Sequence, residues 1–408
     1  MTVQPDGAKR MRETAKQAAF APALPFALVS DRETVVGKGC LGVVPAGPAP
    51  LGERVRAYFA GRPNAASGAP LLVGALPYEA GAPAHLFQPA EVSRSEGRAC
   101  FAAAYPPPAL VRPKPLNPAR WTAVPEPSLE AYRGAVAGAL ARMEQGELRK
   151  VVLSRSLRLT SSAPIDASAL LRSLAEDNEV TGFCVPLPGD HGPRALVGAT
   201  PELLLAKTGA AILSHPLAGS ARRLLDASAD RSAAEGLRAS EKDNREHEEV
   251  VSAILDQLAP WCAELGTPDG TQIVSTASMW HLGTRIVGRL RDAATSSVEL
   301  ASLLHPTPAV CGTPREAAAK AIAELEGYDR GFYAGAVGWC DAVGDGVWHV
   351  AIRCAEIAGH TARLYAGAGI VRGSDPALEG EETSAKFAAL LRALGIDEQG
   401  RPLTEEPL

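Results

Sequence analysis

The chain has 408 residues with 41 basic and 46 acidic side chains, a formal net charge of -5 at pH 7 and no Lys/Arg stripe, which argues against a nucleic-acid partner. Aromatic residues are 5% of the total, too few for base-stacking platforms, whereas 46% hydrophobic residues over this length suffice for a sizeable core. The 39 Gly and 33 Pro are above average without reaching a disordered composition, and length alone suggests two or three units.

At the N-terminus Lys9, Arg10, Arg12 and Lys16 precede an apolar run over residues 18–29, which imitates a secretory leader. Pro22 and Pro25 interrupt that run and Asp6 and Glu13 spoil the basic region, so no leader is expected. No apolar run reaches the length of about 18 residues that a helical membrane span needs. Short apolar stretches such as residues 71–76 suggest strands but carry no chemistry. Eight prolines between Tyr105 and Pro127 mark a connector that can be neither a central strand nor a helix interior. This divides the chain into residues 1–127, strand-rich, irregular and packed on the same body, and a catalytic core over residues 128–408.

After the connector, Ser128 can cap a helix whose apolar residues Leu129, Tyr132, Val136, Leu140 and Met143 recur at helical spacing, ending near Gly146. A strand over residues 150–160 turns Val151, Leu153, Leu157 and Leu159 to one face and Lys150, Val152, Ser154 and Ser156 to the other. Further strands are expected over residues 195–200, 202–207 and 210–214, the last two joined by a turn at Thr208 and Gly209. A helix is expected over residues 229–258, then strands over 334–341, 347–356 and 362–366 and a last helix over 378–394. Sequential strands with tight turns argue for antiparallel sheets and an α+β class. Seven cysteines, odd in number and without any Cys-x-x-Cys pair, read as reduced thiols of a cytoplasmic protein.

Two of these helices carry acids beside their core faces. At about 100° per residue, Asp243, Glu246 and His247 share the stripe of Val250, Ala253, Ile254 and Leu258, while Glu241, Lys242, Arg245, Glu248 and Glu249 fall off it. In the last helix, Glu379, Glu382 and Lys386 cluster along one edge of the stripe of Phe387, Leu390, Leu391 and Leu394. An unpaired buried carboxylate is costly, and two readings offset that cost: a hard divalent ion with oxygen ligands, magnesium above all, or a salt-bridge network between the helices. Other groups suit an anion. Gly367 and Gly369 follow a strand and let backbone N–H groups approach a carboxylate, Gly219 and Ser220 offer the same, and Arg353, on a strand facing the side of Ala351, asks for an acidic partner. As isolated residues, Lys150 and Glu202 read as the ends of strands.

Taken together, the motifs resemble the chorismate-utilising enzyme family and, within it, the isochorismate synthases. The resemblance is carried by Lys150 in KVVLSR, Glu202 in GATPELL, PLAGSARR (216–223), SEKDNREHEEV (240–250), WHLGT (280–284), LHPTPAVCGTPREAA (304–318), FYAGAVGWCD (332–341), AIRC (351–354), AGAGIV (366–371) and EGEETSAK (379–386). It runs in order from about residue 128 to the C-terminus. It implies a large chorismate-binding fold, two stacked antiparallel sheets forming a sandwich wrapped by helices. It also implies magnesium held by Glu246 and Glu382 with Asp243 and Glu379 in support, the four acids of the helical projection.

The implied reaction adds water at C2 of chorismate and expels the C4 hydroxyl. Lys150 is implied as general base and Glu202 as general acid. Tyr333, Arg353, Gly367, Gly369 and Lys386 are implied to bind the substrate carboxylates, and Ala309 and Val310 to line the pocket. Gly219, Ser220 and His281 fall in family blocks, and His281, like His247, reads as a satisfied core histidine or as an orienting group. Ammonia-using members lack a lysine at the position of Lys150, which argues for water as nucleophile. Tyr333 departs from the phenylalanine of enterobactin-type members and matches salicylate synthases, which keeps a salicylate synthase with pyruvate-lyase activity as the alternative. A non-catalytic chorismate-binding protein is the alternative of another class, disfavoured by the presence of both Lys150 and Glu202. The segment 26–39 resembles siderophore-pathway members, with menaquinone as the other destination of the product; a monomer is the family default.

Overall fold

The computed structural model describes residues 20–61, 70–106, 119–189 and 192–403. The basic cluster Lys9, Arg10, Arg12 and Lys16 and the prolines at 107, 108, 113, 115 and 118 lie outside the described residues. Among the described residues there are nine helices and 22 strands in three sheets, every strand pair antiparallel. No helix among them is long and apolar enough to cross a membrane.

The first large sheet runs Gly312–Thr313, Lys150–Ser161, Thr361–Val371, Cys354–Ala358, Arg194–Thr200, Thr181–Leu187, Phe26–Val29, Glu33–Lys38 and Glu91–Glu96, with Trp121–Glu126 also paired to Lys150–Ser161. The second runs Cys262–Gly266, Ile286–Leu290, Ala211–His215, Leu203–Thr208, Gly346–Val350, Ala336–Asp341, Leu71–Leu76, His85–Gln88 and Gly42–Val43. A small third sheet of Leu217–Arg222, Met279–Thr284 and Thr271–Ser275 branches off after Pro216.

Period-two alternation explains the layering. Phe26, Leu28, Phe183, Val185 and Leu196 of the first sheet share one core with Leu72, Leu86, Leu205 and Trp348 of the second. The intervening Ala27, Val29, Cys184, Ala195 and Val197 turn outward and pack under the helices Ala167–Leu174 and Pro376–Leu394 through Leu170, Leu171, Phe387 and Leu391. Val151, Leu153, Ala368 and Ile370 form a third cluster with Tyr132, Val136 and Ala139 of the helix Leu129–Glu144 and with Ala318 and Ile322 of the helix Arg315–Glu326. The two-sheet sandwich wrapped by helices and the α+β class are therefore as expected. The strands before the connector enter both large sheets, so the N-terminal part completes the sandwich.

Four expectations need correction. The strand expected over 362–366 runs over Thr361–Val371, so Gly367 and Gly369 lie within it and not after it. The connector is not wholly irregular: Trp121–Glu126 is a strand with Pro125 inside it, tolerated because among the described residues this strand pairs on one side only. The helix expected over 229–258 is two helices, Ala227–Ala239 and Glu241–Leu258, broken at Ser240, whose extended backbone ends the first and whose hydroxyl accepts the Asp243 N–H to cap the second. The strand expected over 347–356 is also two, Gly346–Val350 in the second sheet and Cys354–Ala358 in the first. The chain crosses between sheets at residues 351–353, so Arg353 is not on a strand and adopts φ of 50°.

Candidate active site

The strands Lys150–Ser161 and Thr361–Val371 pair with Val152 opposite Gly369 and Ser154 opposite Gly367. The face that carries Lys150, Val152 and Ser154 looks away from the helix-covered cluster, and through Val152 it floors a cleft of about 670 Å³ of atom-free space, open solvent included. Around it stand Glu202 at the start of a strand, Gly219 and Ser220 on the small sheet with His281 opposite, and Ala309 and Val310 in the loop after the helix Ser297–Leu304. Tyr333 and Arg353 come from the crossing region, Glu246 from one helix, and Glu382 and Lys386 from the last one. Eleven residues named from sequence for substrate binding or acid catalysis thus line one cleft, together with Glu246 and Glu382 named for the metal. Lys150, Asp243 and Glu379 do not line it.

Lys150 lies fully buried beneath the floor, with Nζ 3.0 Å from Glu246 Oε1. The geometry there is not that of a hydrogen bond, and Nζ has no hydrogen-bond partner among the described residues. Glu246 itself rests on Gly369, where a Cβ would come within 2.0 Å of its Oε1. Glu382 accepts from Ser220 Oγ at 2.9 Å and pairs with Lys386, whose Nζ also donates to the Gly367 carbonyl at 2.8 Å. Glu379 is buried and bound to Lys242 at 2.8 Å, and Asp243 packs against Gly219. Lys242, assigned to the solvent side of its helix by projection, is therefore part of the cluster.

Two of the acids are raised in part by their acidic neighbours. Burial raises the pKa of Asp243, with repulsion from Glu246 and Glu382 added to it and Ser240 and Lys242 opposing. Burial and then Glu382 raise that of Glu379. Burial also works on Glu382, but Lys386, Ser220 and Lys242 outweigh it and hold its pKa down. Among the described residues no three His, Cys, Asp or Glu side chains converge as a metal cage would. Magnesium does not require one, since it keeps several waters and takes one or two carboxylates plus substrate oxygens. Glu246 and Glu382, reaching the cleft from different helices, fit that mode.

Burial pushes the Glu202 carboxyl up to about 7, against the pull of Lys150, Arg353, the Leu217 backbone and Lys386. A carboxyl that still holds its proton near neutral pH can act as a general acid. His281 is driven to about 3 by burial and by Arg353 and Lys386, so it is neutral; its Nδ1 lies 3.4 Å from the Gly219 carbonyl and its buried Nε2 has no partner among the described residues. His247 is likewise lowered, to about 4, by burial, and its Nε2 lies 2.7 Å from Thr284 Oγ1, which makes it a satisfied core histidine on one side. Burial lowers the Arg353 pKa while Glu382, Tyr333 and Glu202 support its charge.

Sequence reasoning missed Tyr365, whose ring stacks on Tyr333 at 4.7 Å and 6° and which also lines the cleft. Its place follows from period two, since it lies on the same face of its strand as Gly367 and Gly369. Pro201, Ile352 and Ala334 were missed as well, because they sit where the chain leaves regular strands.

Comparison with known proteins bears on the family and the fold. The family model described as chorismate binding enzyme matches residues 109–395. The isochorismate synthase DhbC of Bacillus subtilis is 42% identical over 382 residues, 91% of this chain and 94% of that protein. The isochorismate synthase EntC of Escherichia coli is 40% identical over 351 residues, 85% of this chain and 87% of that one. The crystal structure of DhbC from Bacillus anthracis superposes with a TM-score of 0.84 at 38% identity, covering 96% of this chain and all of the other. On this evidence of sequence, fold and cleft, the chain belongs to the chorismate-binding enzyme family.

Proposed function

We propose that the protein is an isochorismate synthase that interconverts chorismate and isochorismate with magnesium at Glu246 and Glu382. One observation carries the reading: a buried lysine and a carboxyl with a pKa near 7 belong to one cleft, Lys150 beneath its floor and Glu202 in its wall. Lys150 Nζ takes a proton from water as the water oxygen bonds to C2 of the ring. The ring double bonds shift, the C4–O bond breaks, and Glu202 gives its proton to the departing hydroxyl, which leaves as water. Atoms balance, since one water enters and one leaves, and Lys150 and Glu202 are reset by solvent exchange. Arg353, with its charge aimed among the acids, and the glycines 367 and 369, with no side chain to block approach, hold the substrate carboxylates. Lys386 and Tyr333 lie against Gly367 and complete that end of the cleft. Magnesium, when bound, neutralises the ring carboxylate and offsets the mutual repulsion of the acids. Asp243 and Glu379 shape its surroundings.

The resemblance of segment 26–39 and the similarity to DhbC and EntC support the siderophore branch as the product's destination in this reading. The decisive experiment incubates the pure protein with chorismate and magnesium and separates the products by chromatography. Isochorismate alone is expected. Salicylate with pyruvate would replace the reading by the lyase one that Tyr333 matches, and absence of turnover with intact binding would replace it by a binding protein. Lys150→Ala should abolish turnover with the circular dichroism spectrum unchanged; near-parental activity would remove Lys150 from the base role.

A further inference from the structure

The cleft rests on a buried ion pair that neither substrate nor metal explains. Arg330 and Glu326 are 2% and 1% exposed at their side chains. Arg330 Nε donates to Glu326 Oε2 at 2.8 Å, Nη1 to the Val310 carbonyl at 2.7 Å and Nη2 to the Val152 carbonyl at 2.8 Å and to Glu326 Oε1. Glu326 Oε1 in turn accepts the Ser154 N–H at 2.6 Å and the Ser154 hydroxyl at 2.8 Å. The guanidinium lies over the ring of Tyr78 at 4.3 Å and faces that of Tyr333 at 5.8 Å.

Val152, Val310 and Tyr333 all line the cleft, and they come from three separate segments. A fork with fixed geometry therefore sets the spacing between the strand that carries Lys150, the loop that carries Ala309 and the turn that carries Tyr333. A buried ion pair is weak evidence of stabilisation, because well-packed neutral side chains often do as well. The value of this pair lies in where its remaining donors point.

We propose that Arg330, held by Glu326, is a positioning residue for the reaction. It fixes the floor and one wall of the cleft against each other at the place where the substrate ring must lie between water and Glu202. This rests on the reading of the cleft as the chorismate site. Arg330 touches no reacting atom and acts through the two carbonyls and the Tyr333 ring.

The test uses the full chain with magnesium. Arg330→Met combined with Glu326→Gln removes both charges together and avoids an unpaired buried glutamate; Arg330→Lys keeps the charge and loses the fork. The double variant should melt close to the parent, yet its kcat/KM should fall about 10²-fold, because a misplacement of about 1 Å costs that much. A raised KM for chorismate is the informative part, since loss of folded enzyme lowers kcat alone. Arg330→Lys should give a KM between the two. A folded double variant with the parental KM would overturn the proposal, as would failure of both variants to fold, which would make the pair structural. Calorimetric titration of the parent with chorismate separates the premises: a parent that binds no chorismate sinks the site reading and this inference with it, whereas a binding parent matched by its variant sinks the inference alone.

Discussion

Replacing Glu202 by glutamine tests the acid role and the cost of that role at once. The carboxyl is raised from its ordinary 4.5 to about 7, first by burial. In the free enzyme it is then about half protonated at pH 7 and about one tenth protonated at pH 8, so kcat/KM should fall about tenfold per pH unit on the alkaline side. The sign for stability runs the same way. Between 4.5 and about 7 the folded state holds a proton that the unfolded state has released, so the unfolded state binds fewer protons and stability falls as pH rises through this window. The full cost, reached above pH 7, is about 3 kcal/mol at about 1.4 kcal/mol per pKa unit. Glu202→Gln keeps the shape and cannot ionise. Without added metal or substrate it should unfold at the same denaturant concentration as the parent at pH 4 and at a clearly higher one at pH 8. Its kcat/KM should be lower by about 10²- to 10⁴-fold, the usual contribution of a general acid. Equal stability of variant and parent at pH 8, or parental activity in the variant, would refute the account.

Gly369→Ala places a methyl carbon 2.0 Å from Glu246 Oε1, so Glu246 must move; a magnesium titration of activity should show a half-saturating concentration at least about tenfold higher. Arg353→Ala removes a charged donor to a substrate carboxylate, about 1.5–3 kcal/mol, which should raise the KM for chorismate by about 10- to 150-fold in initial-rate assays. Ser240→Ala removes the hydroxyl that caps the helix bearing Asp243 and Glu246, and urea unfolding should show a loss of about 1 kcal/mol with the product unchanged.

How much of this was readable depended on where each signal lies. Helical projection placed Glu246 and His247 inward and left Glu241, Arg245 and Glu248 outside, and their burial follows it. The same projection misassigned Lys242, because a half-buried flank residue is recruited by whatever faces it, here Glu379 from a helix 137 residues away. The break at Ser240 was written locally: serine followed by acidic residues at the first and third helical positions is a cap signature. It was masked because the helical pattern continues on both sides.

The placement of Arg353 had no such local trace. Val347 to Glu356 reads as one strand, and only the pairing of its halves with different sheets forces the turn between them. Ala334 donates to the Ala351 carbonyl at 2.8 Å and Ala351 to the Gly335 carbonyl at 2.9 Å, so the distant segment 334–335 clamps the crossing. At the crossing Ala334 and Arg353 both take positive φ, 57° and 50°, an arrangement that a side-chain-bearing residue adopts only when its surroundings impose it. The constraint comes from closing the sandwich, and the guanidinium reaches the cleft because of it. Arg330 shows the same dependence: four residues after Glu326 it looks like a salt-bridged helix end, and only the distant Val152 and Val310 carbonyls turn it toward the site. In this protein the reacting groups are legible as motifs, while the groups that aim them are fixed by contacts between segments that the sequence keeps far apart.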